Sequence, residues 1–290
     1  MTEQQYSEGQ RDRDGQERDT TAEPQFKGRK NGPYKDVSPE LAAWMRTGWA
    51  DTERRDLEPV EQAAYTAKRR AALSARFPGE RLVIPAGNLK TRSNDTDYPF
   101  RAASDYVYLT GDQSEDGCLV LEPREGGGHD AALYLRPRSS RENGEFWLDG
   151  YGELWVGRRN SLAEASALYG LPTRDIRTLA DVLREAPEAP TRIVRGHDAG
   201  LEAVLTLRRS TGDARDAEEA AERDAELAVF LHDQRLVKDE WEIGQLQRAV
   251  DSTVRGFEDV VRALPQAQAT SERYIEGTFF LRARVEGNDV

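Results

Sequence analysis

The chain has 290 residues, and 53 Asp and Glu against 41 Lys and Arg give it a formal charge of -12. That balance argues against a dominant nucleic-acid role, because a phosphate backbone is held by clustered Lys and Arg; no apolar run approaches the ~20 residues of a bilayer span, and the start lacks the apolar stretch of a secretory signal. The single cysteine, Cys118, excludes an intrachain disulfide and fits a cytoplasmic setting, and with only three histidines the chain has too few ligands for a thiolate-rich zinc site.

Residues 1–37 are rich in Glu, Gln, Arg, Asp and Gly, with few large apolar side chains, and are expected to form a disordered tail. Residues 38–56 read as a short helical lead-in. Ser38 stands as N-cap, Pro39 at the first helical position and Glu40 in the first turn, with Leu41, Trp44 and Met45 on one face. From Leu57, the apolar positions Val60, Ala64, Ala67 and Ala71 recur at helical spacing as far as Phe77-Pro78-Gly79, a stop signal.

Four short runs rich in apolar, β-branched or aromatic residues then read as strands, several of them in a meander: 81–87, 106–111, 118–123 and 131–137. In the second, strand alternation would put Tyr106 and Tyr108 on one face. Gly126-Gly127-Gly128-His129 sits between two strand-like runs with no helix after it, so it reads as a hairpin loop and not as a phosphate cradle. Residues 161–170 and 176–186 have helical patterns, and 191–196 is a further strand. The fold class is therefore α/β with a mixed sheet over 57–212.

The acidic stretch 213–226 reads as a solvated helix or linker, within a linker spanning 213–237. Beyond it Asp239 and Glu242 form a capping box. Ile243, Leu246, Val250, Val254, Phe257, Val261 and Leu264 follow at steps of three and four before Pro265, and a second helix is expected over 271–285. Two amphipathic helices without a sheet do not make a sizeable core. The segment 238–290 is thus expected to open a second domain whose remainder lies beyond this chain.

Two stretches carry a resemblance. The first runs Arg92-Ser93-Asn94-Asp95-Thr96-Asp97-Tyr98-Pro99-Phe100-Arg101 and on through Ser104-Asp105-Tyr106-Val107-Tyr108-Leu109-Thr110-Gly111; the second is Glu153-Leu154-Trp155-Val156-Gly157-Arg158-Arg159. Together they resemble the amino-terminal domain of the Xaa-Pro aminopeptidases, the aminopeptidase P family. Arg235, Lys238, Glu242 and Ile243 match the family's R-x-x-K-x-x-x-E-I entry into its catalytic domain. The resemblance covers about residues 57–290.

What the resemblance implies is an amino-terminal α/β domain of the creatinase/aminopeptidase P type, followed by the first helices of a pita-bread α+β domain. That second domain binds two divalent metals, usually manganese, on two Asp, one His and two Glu. A bridging water or hydroxide attacks the peptide bond before proline, the ions lowering its pKa and polarising the carbonyl. The implied substrates are peptides with proline at the second position, and the implied assembly is a homo-oligomer. The family's ligands lie downstream of the two opening helices, so no catalytic or metal-binding residue is assigned in this chain, which alone is expected to be inactive. The alternative is a non-catalytic assembly or interaction module that keeps the family's oligomer contacts.

Trp155 is the position to which a role carries over: the matching tryptophan reaches into a neighbouring subunit's active site and shapes the substrate pocket. Its other reading is an aromatic packed beside a turn. Asp95 and Arg101 flank the Tyr98-Pro99 turn and are candidate oligomer contacts, against the plainer reading of ordinary charges beside a turn. Arg158-Arg159 is either a carboxylate-recognising pair or a solvated turn. Cys118 reads as a small buried hydrophobe.

Overall fold

A computed structural model describes residues 37–94, 96–142, 144–185, 189–209 and 214–288, without the side chains of 214–216. The elements in chain order are α1 (Pro39–Met45), α2 (Ala63–Arg76), β1 (Arg81–Pro85), β2 (Thr91–Ser93), β3 (Thr96–Asp97), α3 (Ser104–Thr110), β4 (Cys118–Pro123), β5 (His129–Leu135), α4 (Glu145–Leu148), α5 (Glu153–Val156), α6 (Leu162–Tyr169), β6 (Thr173–Asp175), a 3-10 turn at Ile176–Thr178, α7 (Leu179–Arg184), β7 (Thr191–Ile193), α8 (Ala199–Arg209), α9 (Ala214–Leu236), α10 (Glu240–Ala269) and α11 (Glu272–Val285). The tail expected over 1–37 falls, apart from Val37, outside the described residues.

Five strands form a mixed sheet in the order β6-β5-β4-β1-β7. The centre is antiparallel, with β1 against β4 and β4 against β5, and both outer pairs are parallel. Because successive side chains alternate between faces, Leu82, Ile84, Leu119, Leu121, Leu133 and Leu135 point to one side, where they pack with Leu73 and Phe77 of α2, Tyr106 and Leu109 of α3, and Leu227 and Leu231 of α9. Val83, Cys118, Val120, Ala132, Tyr134 and Ile193 point to the other, against Leu179 and Leu183 of α7 and Leu201 and Leu205 of α8. Burial on both faces explains why these strands read as continuous apolar runs. Cys118 is fully buried and burial pushes its thiol pKa well up, so it serves the core as the small hydrophobe expected.

Several elements differ from the sequence expectation. The run 106–111 is not a strand but the body of α3, closed by Gly111 in the left-handed region at φ 78°. Its aromatic, β-branched composition favours a strand, yet Tyr106 and Leu109, three apart, both enter the core, and that tertiary contact overrides the propensity. Tyr106 and Tyr108 accordingly do not share a face. Tyr106 is fully buried and its hydroxyl donates to Asp112 Oδ2 at 2.6 Å, whereas half-buried Tyr108 lies over the Arg69 guanidinium. The helix expected from Leu57 begins at Ala63; Val60 instead donates its N–H to the Leu168 carbonyl at 2.9 Å.

Within the linker expected over 213–237, whose acidic stretch 213–226 was read as a solvated helix or linker, α9 (Ala214–Leu236) is a helix built into the domain: its Ala220, Asp224, Leu227 and Leu231 are buried. Its acidic composition hid an inner stripe at i, i+4, i+7 and i+11. The α10 helix runs on through Pro265, beyond the last apolar position counted in the sequence, and ends at Ala269; the ring removes one N–H donor without ending the helix.

The capping box of α10 forms as read, with the Glu242 N–H donating to Asp239 Oδ1 at 3.0 Å and the Asp239 N–H to Glu242 Oε2 at 3.1 Å. Helix α11 packs on α10, with the Phe257 and Phe279 rings edge to face at 5.5 Å. The α10 apolar stripe from Ile243 to Leu264 stays 51–64 % exposed.

Candidate functional site

The Trp155 segment is shaped by backbone before side chains. Gly144 is the N-cap of helix α4 and Gly152 that of α5. At Gly152 a Cβ would stand 2.5 Å from the Phe146 carbonyl oxygen, 2.6 Å from that of Glu145 and 2.8 Å from that of Asp149, so only glycine lets the two short helices approach this closely. The indole N–H of Trp155 donates to the Trp147 carbonyl at 2.8 Å, satisfying an acceptor at the end of α4. That bond fixes one edge of the ring while 66 % of Trp155 remains exposed, flanked by exposed Leu154 and Val156.

Beneath this apolar knob lies a charged frame. Glu153, buried, accepts from Arg138 Nε at 3.0 Å and from the backbone N–H groups of Ser139 at 2.8 Å and Arg159 at 3.0 Å. Arg158 donates to the Thr52 carbonyl at 2.8 Å and to the Glu164 carboxylate. Glu164 also caps α6, accepting from the N–H of Ser161 at 3.0 Å and of Arg54 at 2.5 Å. Burial pushes its carboxyl pKa up, but the hydrogen bonds from Arg158 and from the Arg54 and Ser161 amides outweigh burial and hold it at about 2. Arg159 donates to Ser139 Oγ at 3.2 Å and to the Tyr151 carbonyl; burial and then neighbouring Arg136 lower its pKa. The Arg158-Arg159 pair, open to two readings in the sequence, thus engages carboxylates and carbonyls of its own chain. Beside the knob, Asp97, Glu115, Tyr151, Arg158, Arg159 and Asn160 line an open cleft of about 560 Å³.

Of the sequence-predicted site residues, Trp155 presents an exposed ring, Arg101 is exposed on the loop before α3, and Asp95 lies outside the described residues. The anchoring carboxylates Glu153 and Glu164 were not singled out. For Glu164 the sequence carries a signal, the Ser161-x-x-Glu164 capping box at the start of α6; for Glu153 it carries none, because its three donors converge only in the fold. His129 stands in the larger cleft, about 920 Å³, between α2 and β5. Its Nε2 donates to the Glu80 carbonyl at 2.7 Å, which leaves Nδ1 to accept from Ser74 Oγ at 2.7 Å, so both ring nitrogens are engaged. Among the described residues no helix is long and apolar enough to cross a membrane.

Residues 66–194 match the family model described as "Aminopeptidase P, N-terminal domain". The chain is 70 % identical over 270 residues to "Xaa-Pro aminopeptidase 1" of Streptomyces coelicolor, covering 93 % of this chain and 52 % of that protein. It is 61 % identical over 262 residues to "Xaa-Pro aminopeptidase 2" of the same organism, covering 90 % of this chain and 53 % of that one. It therefore spans about half the length of the curated relatives it matches. Among solved structures, a His354Ala form of Escherichia coli aminopeptidase P aligns with a TM-score of 0.59 at 21 % identity, over 78 % of this chain and 50 % of that one. At that identity the alignment speaks for the fold. With the motifs, the mixed sheet and the sequence relatives in agreement, residues 66–194 are an amino-terminal domain of the aminopeptidase P family, and the chain is similar to the Xaa-Pro aminopeptidases along 93 % of its length.

Proposed function

We propose that this chain is the amino-terminal part of a manganese-dependent, cytoplasmic Xaa-Pro aminopeptidase, which removes an amino-terminal residue that precedes proline. The observation that carries the reading is the 70 % identity to a protein named Xaa-Pro aminopeptidase 1 along 93 % of this chain. The uncovered α10 stripe supports it, since a helix of this composition requires a partner surface.

Among the described residues, no group of three or more His, Cys, Asp or Glu is placed to hold a metal ion. These residues do not fit a two-manganese centre, and the ligands are assigned to the half of the relatives' length beyond this chain. This half contributes the scaffold and Trp155. An exposed indole, pinned by one hydrogen bond on a rigid frame, suits insertion into a neighbouring subunit's substrate pocket in a homo-oligomer. Arg101, with Asp95, is proposed at the same contacts.

The test compares the 290-residue chain with one extended to the relatives' length, each assayed on a Xaa-Pro peptide with and without manganese. The extended chain is expected to cleave only with the metal, and the 290-residue chain not to cleave in either condition. An extended chain that shows no manganese-dependent cleavage overturns the reading.

A further inference from the structure

We propose that Arg69 is a positioning residue that sets the direction of α10 relative to the sheet, and through it the placement of the substrate pocket; the second clause rests on the aminopeptidase reading above.

Arg69, on α2, is 5 % exposed. Its Nε and Nη2 donate to Asp239 Oδ2 at 3.0 and 2.6 Å, and Nη2 lies 3.3 Å from Glu242 Oε2. Its Nη1 donates to the Tyr108 carbonyl of α3 at 2.9 Å. The guanidinium is stacked over the Tyr108 ring at 4.2 Å and faces Trp241, in the first turn of α10, at 5.9 Å. One planar cation therefore joins α2, α3 and the first turn of α10. The two carboxylates it holds are those of the α10 capping box, so the charges that start the helix are also the charges that dock it. A guanidinium fork suits this, because two faces and several fixed donors act at once.

The rest of α10 has little to replace that contact. Among the described residues, its other ion pair toward the preceding elements, Arg248 with Glu61 at 3.9 Å, joins two exposed side chains and contributes little. Further along, Arg255 reaches Glu286, and Asp259 is held by Arg282 of α11, so these bonds travel with the helix pair.

The 30 residues of α10 make a lever of about 45 Å at the usual rise. A 5° swing at Asp239 would displace the far end by about 4 Å on that length. Reacting groups tolerate misplacement of only about 1 Å before rates fall of the order of a hundredfold. In the aminopeptidase reading the sheet domain carries Trp155 and the chain beyond α11 carries the metal ligands. The angle at Arg69 then sets where each chain's Trp155 stands relative to its own metal ligands, and through the oligomer how the indole meets the neighbouring subunit's pocket.

Two exposed sites, Ala72→Cys on α2 and Gln266→Cys near the end of α10, accept spin labels, while Cys118 is buried with its thiol pKa raised and stays unlabelled. Pulsed electron resonance on the 290-residue chain, diluted with unlabelled protein, is expected to give one narrow distance distribution. In Arg69→Gln it broadens by several ångström, and Arg69→Lys, which keeps charge but loses the fork, falls between. Should Arg69→Gln fail to fold, Asp239→Asn with Glu242→Gln keeps the cap and removes both charges, with the same broadening expected. A distribution unchanged in either variant overturns the proposal. In the extended chain Arg69→Lys is expected to lower kcat about tenfold or more with manganese affinity unchanged; an unchanged kcat refutes the catalytic consequence. If the extended parent itself cleaves nothing, the aminopeptidase reading fails while the distance measurement still decides on Arg69.

Discussion

Arg209 and Asp224 form a two-pronged ion pair, Nη1 to Oδ2 at 2.7 Å and Nη2 to Oδ1 at 3.0 Å, between the end of α8 and the inner face of α9. Asp224 is 2 % exposed and also accepts from the Ile193 N–H of β7 at 2.9 Å and from Arg195 at 2.7 Å. This carboxylate fastens an otherwise acidic helix to the edge of the sheet. Asp224→Asn keeps the shape but leaves Arg209 without its counter-charge, and breaking a buried pair in this way costs about 3 kcal/mol. Urea unfolding is expected to shift its midpoint down accordingly; a loss below ~0.5 kcal/mol, typical of a surface site, would contradict the role assigned to Asp224.

Gly152→Ala places a methyl within 2.5–2.8 Å of three carbonyl oxygens. Overpacking of this kind costs about 1–3 kcal/mol. Because the obstruction lies between α4 and α5, the loss is expected to appear as a lowered melting temperature together with a weakened near-ultraviolet signal from Trp147 and Trp155. Gly157→Ala, with no atom within 4 Å of the added carbon but φ at +89°, separates backbone strain from crowding.

The Glu164 carboxyl, held at about 2 against its ordinary 4.5, makes stability depend on pH. The folded pKa is the lower one, so the contribution is complete above the unfolded value near 4.5 and is lost as pH falls toward 2. Unfolding midpoints measured from pH 6 down to 2.5 should fall more steeply for the parent than for Glu164→Gln, whose side chain does not titrate. Parallel curves would refute the assignment.

The exposed α10 stripe predicts self-association of the 290-residue chain. Phe257→Glu with Val261→Glu introduces charge in the middle of that stripe, where Phe257 and Val261 are both exposed. Sedimentation velocity over a concentration series is expected to show association in the parent and its reduction in the double variant. Equal behaviour of the two would mean that the stripe is not the contact.

Trp155→Ala removes a ring whose surface is mostly solvent-facing, so its melting temperature should stay within a few degrees of the parent's. In the extended chain the same change is expected to raise KM for a Xaa-Pro peptide, as loss of substrate contact does. A collapse of stability with unaltered KM would place Trp155 with the scaffold instead.

What was legible in the sequence follows from local rules. Ser38 caps α1, Asp239 and Glu242 cap α10, and the runs at 81–85, 118–123 and 191–193 are strands because each is short, rich in apolar or β-branched residues and bounded by turn formers. The family was legible too, since the Arg92–Gly111 stretch and the Trp155-x-Gly157-Arg158-Arg159 run stand in order along the chain. Where the sequence misled, a local preference met a stronger non-local contact. Tyr106 and Leu109 make α3 from a strand-like run, and Leu227 and Leu231 bury a helix whose composition advertised solvent.

The amino-acid order by itself determined the helix caps, the short apolar strands and the resemblance to a family, because these depend on residues within a few positions of one another or on their order. Only the tertiary structure decided that Glu153 and Glu164 anchor the Trp155 segment, that Asp224 pins α9, and that Arg69 meets Asp239 across 170 positions of chain. Each of those is a charge taken out of water, stable only where folding brings its partners within hydrogen-bonding distance, and spacing along the chain does not encode that convergence.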